Sequence, residues 1–370
     1  MTQPQTSSAL LEGLRQSISP DIGLDLGTAN TVAYERTMGV IVSQPSVVAY
    51  NVDEERIVAI GHAAKEIEGR APHKIRVVRP LRRGTISDFH AAEALVADTV
   101  DKALAARRNF GPRVVASIPG CATDIECKAV EQAVRLAGAR WATFVPQAVA
   151  AAVGAGLDIT SPRPMMIVDI GGGTTEIGIL GLSGVIRLHS VQIGGDDFDR
   201  AIQNRLRARN FVVGSATAEA IKIARGYAGR APGRAPLTIH GSDLRLGGAP
   251  GSQTVEEALV GAALREGIER IVRAVCSVLE TTPPDAAGDL LESGITLTGG
   301  GALIANLAGE IGIRTNVPTT VAPDPLLCVA RGAGEILGSP SLLERVRPSA
   351  DKLTRWYQSL RIGMRESYSP

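Results

Sequence analysis

One stretch decides the fold of this chain, and it reads Asp169-Ile170-Gly171-Gly172-Gly173-Thr174-Thr175-Glu176. It follows the apolar run Met165–Val168, whose composition predicts a β-strand. Glycine lets the backbone approach an anion closely, and successive N–H groups in such a turn form a concave anion site. The stretch therefore predicts a strand that ends in a phosphate-binding loop.

A second loop of the same kind lies near the start of the chain and reads Asp25-Leu26-Gly27-Thr28-Ala29-Asn30-Thr31, after the apolar run Ile22–Leu24. One such loop could be an ordinary β-turn, whereas two predict loops that close on one polyphosphate from opposite sides. Mg²⁺ takes oxygen ligands and usually keeps several waters. Asp25 and Asp169 are therefore predicted to hold a magnesium ion through its waters, although either could instead only cap its turn.

A third glycine turn lies within Gly294–Ile304, where an apolar strand precedes Gly299-Gly300-Gly301 and the start of an apolar helix is expected after it. The turn carries no acidic residue, so it is a poor metal site. It suits a flat, neutral group such as an adenine ring and its ribose. A glycine floor admits either purine, so these residues leave ATP and GTP open, and three structural turns remain the alternative.

Taken in order, these motifs resemble the actin, Hsp70 and sugar kinase ATPases, and within that superfamily the MreB family of bacterial actins. The resemblance implies an α/β, actin-like ATPase fold with two lobes of duplicated ribonuclease H-like sheets and inserted subdomains. It covers Asp21 to Leu337 and is carried by Gly23–Thr31, Gln44–Ala49, Val168–Glu176, Ile193–Asp196, Ala216–Lys222, Leu297–Leu303 and Cys328–Gly332.

Length and composition agree with a protein of several domains. A chain of 370 residues exceeds the size at which one core stops growing. A net charge of +1 gives no reason to expect a nucleic-acid partner, and no apolar run approaches the roughly 20 residues of a spanning helix. The predicted parts are a leader (1–20), lobe I (21–164, insertion 52–98), lobe II (165–338, insertion 200–258) and a tail (339–370).

The predicted elements alternate between strands and helices, and the pattern restarts at Met165. The restart indicates a structural repeat of strand, acidic glycine loop, strand, strand and helix. Predicted elements include the helices Ala91–Ala106 and Asp124–Ala137 and the strand Arg113–Ile118.

Binding roles follow for the residues of these motifs. Amides and hydroxyls of both loops are expected to grip the β- and γ-phosphates of ATP. The resemblance places a helix with Glu219 and Lys222 against the ribose and adenine, although an i,i+3 surface ion pair is the alternative. The predicted nucleotide contacts are Thr28, Ala29, Asn30, Thr31, Gly171, Gly172, Gly173, Thr174, Gly194, Gly195, Glu219, Lys222, Gly299, Gly300, Gly301 and Leu303.

Catalysis is expected at the segment Val145–Ala152. Gln147 stands where the MreB family has glutamate, and Ala148 stands where it has proline. An amide can orient water but cannot take its proton. Eukaryotic actin has glutamine at the matching position, so slow ATP hydrolysis is predicted, with Gln147 and Asp169 as the catalytic residues.

Three segments are candidates for contact with a membrane surface. The leader places Leu10, Leu11, Leu14 and Ile18 at helical spacing, and the tail carries Trp356 among basic residues. The family also uses a hydrophobic loop of lobe I, which here contains Phe110. A disordered leader and a tail packed on lobe I remain open as alternatives.

The resemblance also implies partners and a location. It predicts homopolymeric filaments in the cytoplasm, peripheral at the inner face of the cell membrane, that guide cell-wall synthesis with membrane-bound elongation proteins. An actin-like protein that positions an organelle or plasmid is the main alternative. An Hsp70-type chaperone and a small-molecule kinase on the same fold fit less well, because no peptide-binding segment and no acceptor-site base are recognised.

Overall fold

The structure is a computed structural model that describes residues 20–105, 111–120, 122–230 and 233–347. Two five-stranded mixed sheets form its framework. The strands are β1 Asp21–Leu26, β2 Asn30–Glu35, β3 Gly39–Pro45, β4 Val48–Asn51, β5 Arg56–Ile60, β6 Ile75–Val78, β7 Leu81–Arg82, β8 Thr85–Ile86, β9 Arg113–Ile118, β10 Trp141–Pro146, β11 Met165–Ile170, β12 Thr175–Gly181, β13 Gly184–Val191, β14 Phe211–Val212, β15 Leu237–Asp243, β16 Ala249–Val255, β17 Ile295–Thr298 and β18 Thr319–Val321.

Helices cover the faces of both sheets. The described helices are α1 His62–Ile67, α2 Phe89–Leu104, α3 Asp124–Leu136, α4 Gln147–Gly154, α5 Gly195–Arg207, α6 Ser215–Arg225, α7 Glu257–Glu280, α8 Pro284–Ser293, α9 Leu307–Thr315, α10 Cys328–Leu337 and α11 Pro340–Val346. In the part of the chain that the structure describes, none of them has the length and apolar character needed to cross a bilayer.

The two large sheets repeat one topology. The first has the order β10-β9-β1-β2-β3, and the second has the matching order β18-β17-β11-β12-β13. In each, the central strand pairs in parallel with one neighbour and antiparallel with the other. Asp25 and Asp169 are both the fifth residue of a six-residue central strand. The repeat predicted from the restart at Met165 is therefore confirmed, and it places the two acidic residues at equivalent positions.

The central strands are apolar because both of their faces are covered. In β11 every residue except Met165 is buried, and all seven residues of β12 are buried. Strands buried on both faces read as continuous apolar runs rather than alternating ones. This is why the run before Asp169 contains only large apolar side chains.

Helices α4 and α10 form the layer between the two sheets. One hydrophobic cluster joins them to Val115 of the first sheet and to Ile167 of the second. The two helices cross at glycines, since a Cβ at Gly154 would lie 1.8 Å from the carbonyl oxygen of Cys328, and a Cβ at Gly332 would lie 1.8 Å from that of Ala150. The backbones touch, so the helix that begins with Gln147 is held tightly.

Two small sheets correspond to the expected insertions. The first, β5-β4-β6, begins at Val48, before the predicted start at residue 52. Its neighbour α2 contacts β2 and β3 and so belongs to the main layer of lobe I, although its first half lies within 52–98. The second small sheet, β14-β15-β16, spans residues 211–255, inside the predicted 200–258.

Some element boundaries differ from the sequence expectations. Helix α2 begins at Phe89 rather than Ala91, because the Asp88 carboxylate accepts a hydrogen bond from the Ala91 N–H and caps it. The predicted helix directly after the third glycine turn is wrong: Gly300–Leu303 forms a single 3-10 turn, and α9 begins at Leu307.

The end of the described chain returns to the first lobe. Helix α10 lies inside 165–338, the range predicted for lobe II, but it packs against β1 and β9 of the first sheet. Its approach to β1 requires a glycine, because a Cβ at Gly23 would lie 2.2 Å from the backbone nitrogen of Gly334. Helix α11, the start of the predicted tail, adds Val346 to the cluster between the sheets.

Candidate functional site

The two glycine-rich loops, predicted to face each other, are in contact. A Cβ at Gly172 would lie 2.8 Å from the Cβ of Ala29, and one at Gly173 would lie 2.8 Å from the Thr28 hydroxyl. Any side chain at these glycines would push the loops apart. The structure therefore brings the ends of the two central strands together at one cleft between the lobes.

The loop after β1 is stabilised by a hydrogen bond within its own backbone and by one from Ser46. The Gly27 N–H donates to the Asn30 carbonyl at 3.0 Å, and the Ser46 hydroxyl donates to the Gly27 carbonyl at 2.6 Å. The Thr31 side chain is fully buried with its hydroxyl 2.9 Å from that of Ser46. The structure thus does not support the predicted phosphate contact of the Thr31 hydroxyl, which braces the loop from behind, whereas Asn30 is exposed.

The loop after β11 is braced by the segment that starts α5. The Gly171 N–H donates to the Thr174 carbonyl at 2.9 Å, and the Gly195 N–H donates to the Gly171 carbonyl at 3.0 Å. A Cβ at Gly194 would lie 2.6 Å from the Gly172 carbonyl oxygen. Gly194 and Gly195 therefore pack directly on the second loop.

Both loop aspartates lie in surroundings that raise the pKa of their carboxyl groups. The Ser117 hydroxyl donates to Asp25 at 3.0 Å, and no ion pair to Asp25 or Asp169 is formed within the described residues. Removal from water and, to a smaller extent, the charge of Asp169 raise the pKa of Asp25 from 3.8 to about 7, against the lowering effect of the Ser117 hydrogen bond. Burial likewise raises the pKa of Asp169.

The chemistry of two carboxylates is compatible with a hydrated cation. Among the described residues no group of three or more His, Cys, Asp or Glu side chains is arranged to hold a metal ion. Two carboxylates that repel each other across a cleft would be stabilised by one divalent ion, and Mg²⁺ commonly needs only one or two carboxylates beside its waters and phosphate oxygens. Asp25 and Asp169 are the residues that would hold it.

Gln147 lies at the same point of the cleft. As the first residue of α4 it donates its side-chain N–H to Asp169 at 2.7 Å. The Thr298 hydroxyl donates to the other oxygen of Asp169 at 3.0 Å. The amide nitrogen of Gln147 is thereby fixed, and its carbonyl oxygen remains as a hydrogen-bond acceptor in the cleft.

Glu176, the last residue of the motif Asp169–Glu176, is a buried carboxyl group of the site whose role sequence reasoning missed. It pairs with Asp169 across β11 and β12. It accepts hydrogen bonds from the Gly120 N–H at 3.0 Å and the Ser190 hydroxyl at 2.5 Å. Burial and, to a smaller extent, the charge of Asp169 raise its pKa from 4.5 to about 7, against the lowering effect of these two hydrogen bonds. Its bond to Gly120 crosses from one lobe to the other.

The residues predicted for the base and sugar lie on the lobe II side. A Cβ at Gly299 would lie 2.7 Å from Asp169 Oδ1, and one at Gly301 would lie 2.2 Å from Ile170 Cγ2, so this turn sits against the end of β11. Leu303 is 58% exposed at the end of the turn. The turn is therefore near the loops and leaves an apolar side chain for a ligand to cover.

Glu219 and Lys222 share helix α6 but do not pair with each other. Lys222 forms an ion pair with Asp199 at 2.9 Å and donates to the Gly195 carbonyl at 3.2 Å. Glu219 instead pairs with Lys65 of the first insertion at 3.1 Å. Lys222 therefore supports the segment behind the second loop, and Glu219 faces the other lobe.

Sequence reasoning also missed Lys65, Arg79 and Arg83 of the first insertion, because the carboxylates with which they pair are distant in sequence.

The expected membrane residues Leu10, Leu11, Leu14, Ile18, Phe110 and Trp356 lie outside the described residues.

A duplicated α/β framework with matching acidic glycine loops at an interlobe cleft defines an actin-like protein. A family model described as MreB/Mbl protein matches residues 19–345. The cell shape-determining protein MreB of Escherichia coli K12 is 40% identical, with 89% of this chain and 96% of the relative covered. The cell shape-determining protein Mbl of Bacillus subtilis 168 is 35% identical over 88% and 98%. The chain therefore belongs to the MreB/Mbl family, and the predicted resemblance is confirmed.

Solved structures agree with this assignment. The crystal structure of MreB5 of Spiroplasma citri bound to AMPPNP superposes with a TM-score of 0.82 at 32% identity, covering 89% of this chain and 98% of that one. The same protein bound to ADP gives a TM-score of 0.81 at 33% identity over 86% and 96%. A MamK double helical filament, 21% identical with a TM-score of 0.71, shares the fold, with 86% of this chain and 98% of that one covered. The predicted actin-like fold is confirmed.

Proposed function

We propose that the chain binds Mg-ATP in the cleft between its lobes and hydrolyses it slowly. The contact between the two loops carries this proposal, because Ala29 and Gly172 meet at a distance that only glycine allows. The N–H groups of both loops then surround one small volume, which suits a chain of phosphates. That the MreB5 relative is bound to ADP and AMPPNP supports the same ligand here.

In this proposal Gln147 orients the attacking water. Phosphoryl transfer depends mainly on positioning and electrostatics, and the bond from Gln147 to Asp169 fixes the direction of the amide. The amide cannot accept the proton of the water, so hydrolysis is expected to be slow. Mg²⁺ held by Asp25 and Asp169 would supply charge neutralisation for the phosphates.

Binding of a fluorescent ATP analogue, with Mg²⁺ and with EDTA, tests this function. The wild-type chain should bind the analogue in the presence of Mg²⁺, and Asp169→Asn should lose most of the Mg²⁺-dependent affinity. Asp289→Asn on the exposed face of α8 removes the same charge far from the cleft and should bind as the wild type does. Equal binding by all three chains would reject the assignment, and competition with GTP measures the purine preference.

We further propose that the chain forms homopolymeric filaments at the cytoplasmic face of the membrane and acts in cell shape through cell-wall synthesis. The relatives MreB of Escherichia coli and Mbl of Bacillus subtilis are cell shape-determining proteins, which supports this role. Electron microscopy and pelleting with ATP and with ADP test assembly. Co-sedimentation with liposomes of the full chain and of chains without residues 1–20 or 350–370 tests the membrane contact, and equal pelleting with and without lipid would remove it.

A further inference from the structure

Three basic residues of the first insertion face three acidic residues of lobe II across the mouth of the cleft. The three cations lie on lobe I and the three carboxylates lie on lobe II, where Arg200 of the same lobe also pairs with Asp197 at 3.1 Å. We call this set of ion pairs the clasp, and its pairs are Lys65–Glu219, Arg79–Asp196 and Arg83–Asp197.

Each pair of the clasp has one side chain that is less than a quarter exposed, whereas Glu219 is 37% and Arg83 is 48% exposed. Lys65 lies 3.1 Å from Glu219, with its side chain 24% exposed. Arg83 lies 3.3 Å from Asp197, whose side chain is 18% exposed. Arg79 is 19% exposed and reaches Asp196 at the longer distance of 3.9 Å.

One carboxylate connects two of these cations within the first insertion. Glu68 lies 3.1 Å from Lys65 and 3.2 Å from Arg79. Glu68 therefore fixes the positions of both long side chains from within the first insertion. Isolated surface ion pairs contribute little, whereas networks with fixed geometry contribute more.

The clasp is joined to the phosphate loops. Arg83 is at the tip of the β7–β8 hairpin, and a Cβ at Gly173 would lie 2.7 Å from its backbone nitrogen. Asp197 accepts a hydrogen bond from the Gly194 N–H at 3.1 Å with its other oxygen. Opening the clasp would therefore move the hairpin away from the second loop.

We propose that Lys65, Arg79 and Arg83 are positioning residues for the nucleotide site, which hold the lobes closed and set how long a nucleotide stays bound. This rests on the proposed function. Glu219, the carboxylate expected near the ribose, accepts a hydrogen bond from Lys65. The same side chain would therefore take part in sugar binding and in closure of the lobes. The clasp acts on release and leaves the Gln147–Asp169 contact unchanged.

Stopped-flow release of a fluorescent ATP analogue from the full chain tests the clasp. The double variant Lys65→Met with Arg83→Gln should release it about tenfold faster at low salt, which corresponds to about 1.4 kcal/mol. Salt should speed release from the wild type and have little effect on the variant, since screening weakens ion pairs. A double variant that carries Lys65→Arg instead of Lys65→Met should recover most of the slow release rate of the wild type. The single-turnover hydrolysis rate of bound ATP should stay within a factor of about two in all of them.

The matched control is Lys74→Met, which removes one charge from the same insertion. Lys74 pairs with Asp53 within that insertion at 3.2 Å and does not reach lobe II, so release should be unchanged. Release from the double variant that is as slow as from the wild type would overturn the proposal. If the double variant fails to fold, Arg83→Gln alone takes its place, with about threefold faster release expected.

Hydrogen exchange without nucleotide separates this proposal from the proposed function. The amides of Gly171–Thr174 should exchange faster in the double variant than in the wild type, while those of α8 stay the same. If the wild type binds no nucleotide but this difference appears, the nucleotide proposal fails and the closure survives. If nucleotide binds and neither exchange nor release changes, the clasp is rejected.

Discussion

The side-chain amide of Gln147 donates a 2.7 Å hydrogen bond to Asp169, and this contact joins the first helix after β10 to the central strand of the second sheet. Asp169 is 2% exposed and also accepts from Thr298. One aspartate therefore links the residue expected to orient water to the loop expected to hold phosphate.

Gln147→Ala should slow phosphate release during assembly about 100-fold, because a misplaced water loses near-attack geometry. ATP affinity should change less than threefold, since the Gln147 side chain contacts Asp169 and none of the glycines that are expected to bind the phosphates. Steady-state phosphate release and analogue binding measure the two effects. Unchanged phosphate release would show that Gln147 does not orient the water.

Gly172→Ala should weaken Mg-ATP binding while the chain stays folded. The added methyl group would meet the Cβ of Ala29 at 2.8 Å and force the loops apart. Titration calorimetry measures the affinity, and circular dichroism checks the fold. Gly214→Ala, where an added Cβ meets nothing within 4 Å, is the control and should bind normally.

Gly332→Ala should lower the free energy of unfolding by about 3 kcal/mol, as overpacked sites do. The new Cβ would lie 1.8 Å from the Ala150 carbonyl oxygen, and the clash is with backbone that cannot turn aside. Urea unfolding measures the change. Gly288→Ala, in α8 with open space around it, should instead stabilise by about 0.5–1 kcal/mol.

Without Mg²⁺, stability should fall as the pH rises from about 4 to about 7. The pKa of Asp25 is raised from 3.8 to about 7 by loss of water, by Asp169 and against the Ser117 hydrogen bond. Such a group binds its proton more tightly when folded, so stability is lost as the proton leaves. Glu176, whose pKa burial raises from 4.5 to about 7, contributes with the same sign.

Asp25→Asn should therefore stabilise the metal-free chain at pH 7.5 and abolish most Mg²⁺-dependent nucleotide binding. Thermal unfolding across this pH range measures the first effect, and Asp25→Asn should flatten part of the slope. A steeper slope in Asp25→Asn than in the wild type would contradict the assigned pKa direction.

Much of the fold could be predicted because the two acidic glycine loops mark equivalent strands. The run before Asp169 is apolar on both faces, so its position in a buried sheet followed from composition alone. The start of α2 was missed because Asp88 caps it two residues earlier than the apolar pattern indicates. The return of α10 to the first sheet depends on the glycine contacts of Gly23 and Gly332, which no local pattern reveals.

The site was predictable where a motif carries its own chemistry. The loops and Gln147 lie at one cleft as expected, but their contacts with a ligand stay predictions. The buried position of the Thr31 side chain depends on its contact with Ser46. The Lys65–Glu219 pair joins residues that are 154 positions apart. Such contacts arise from the packing of the lobes, and spacing within either segment does not encode them.

A crystal structure of the full chain with Mg²⁺ and a non-hydrolysable ATP analogue decides whether the two loops share one ligand. The triphosphate should contact backbone N–H groups of both glycine loops, with a single Mg²⁺ whose waters contact both Asp25 and Asp169. A nucleotide bound elsewhere, or two aspartates with no ion in common, would contradict the shared site.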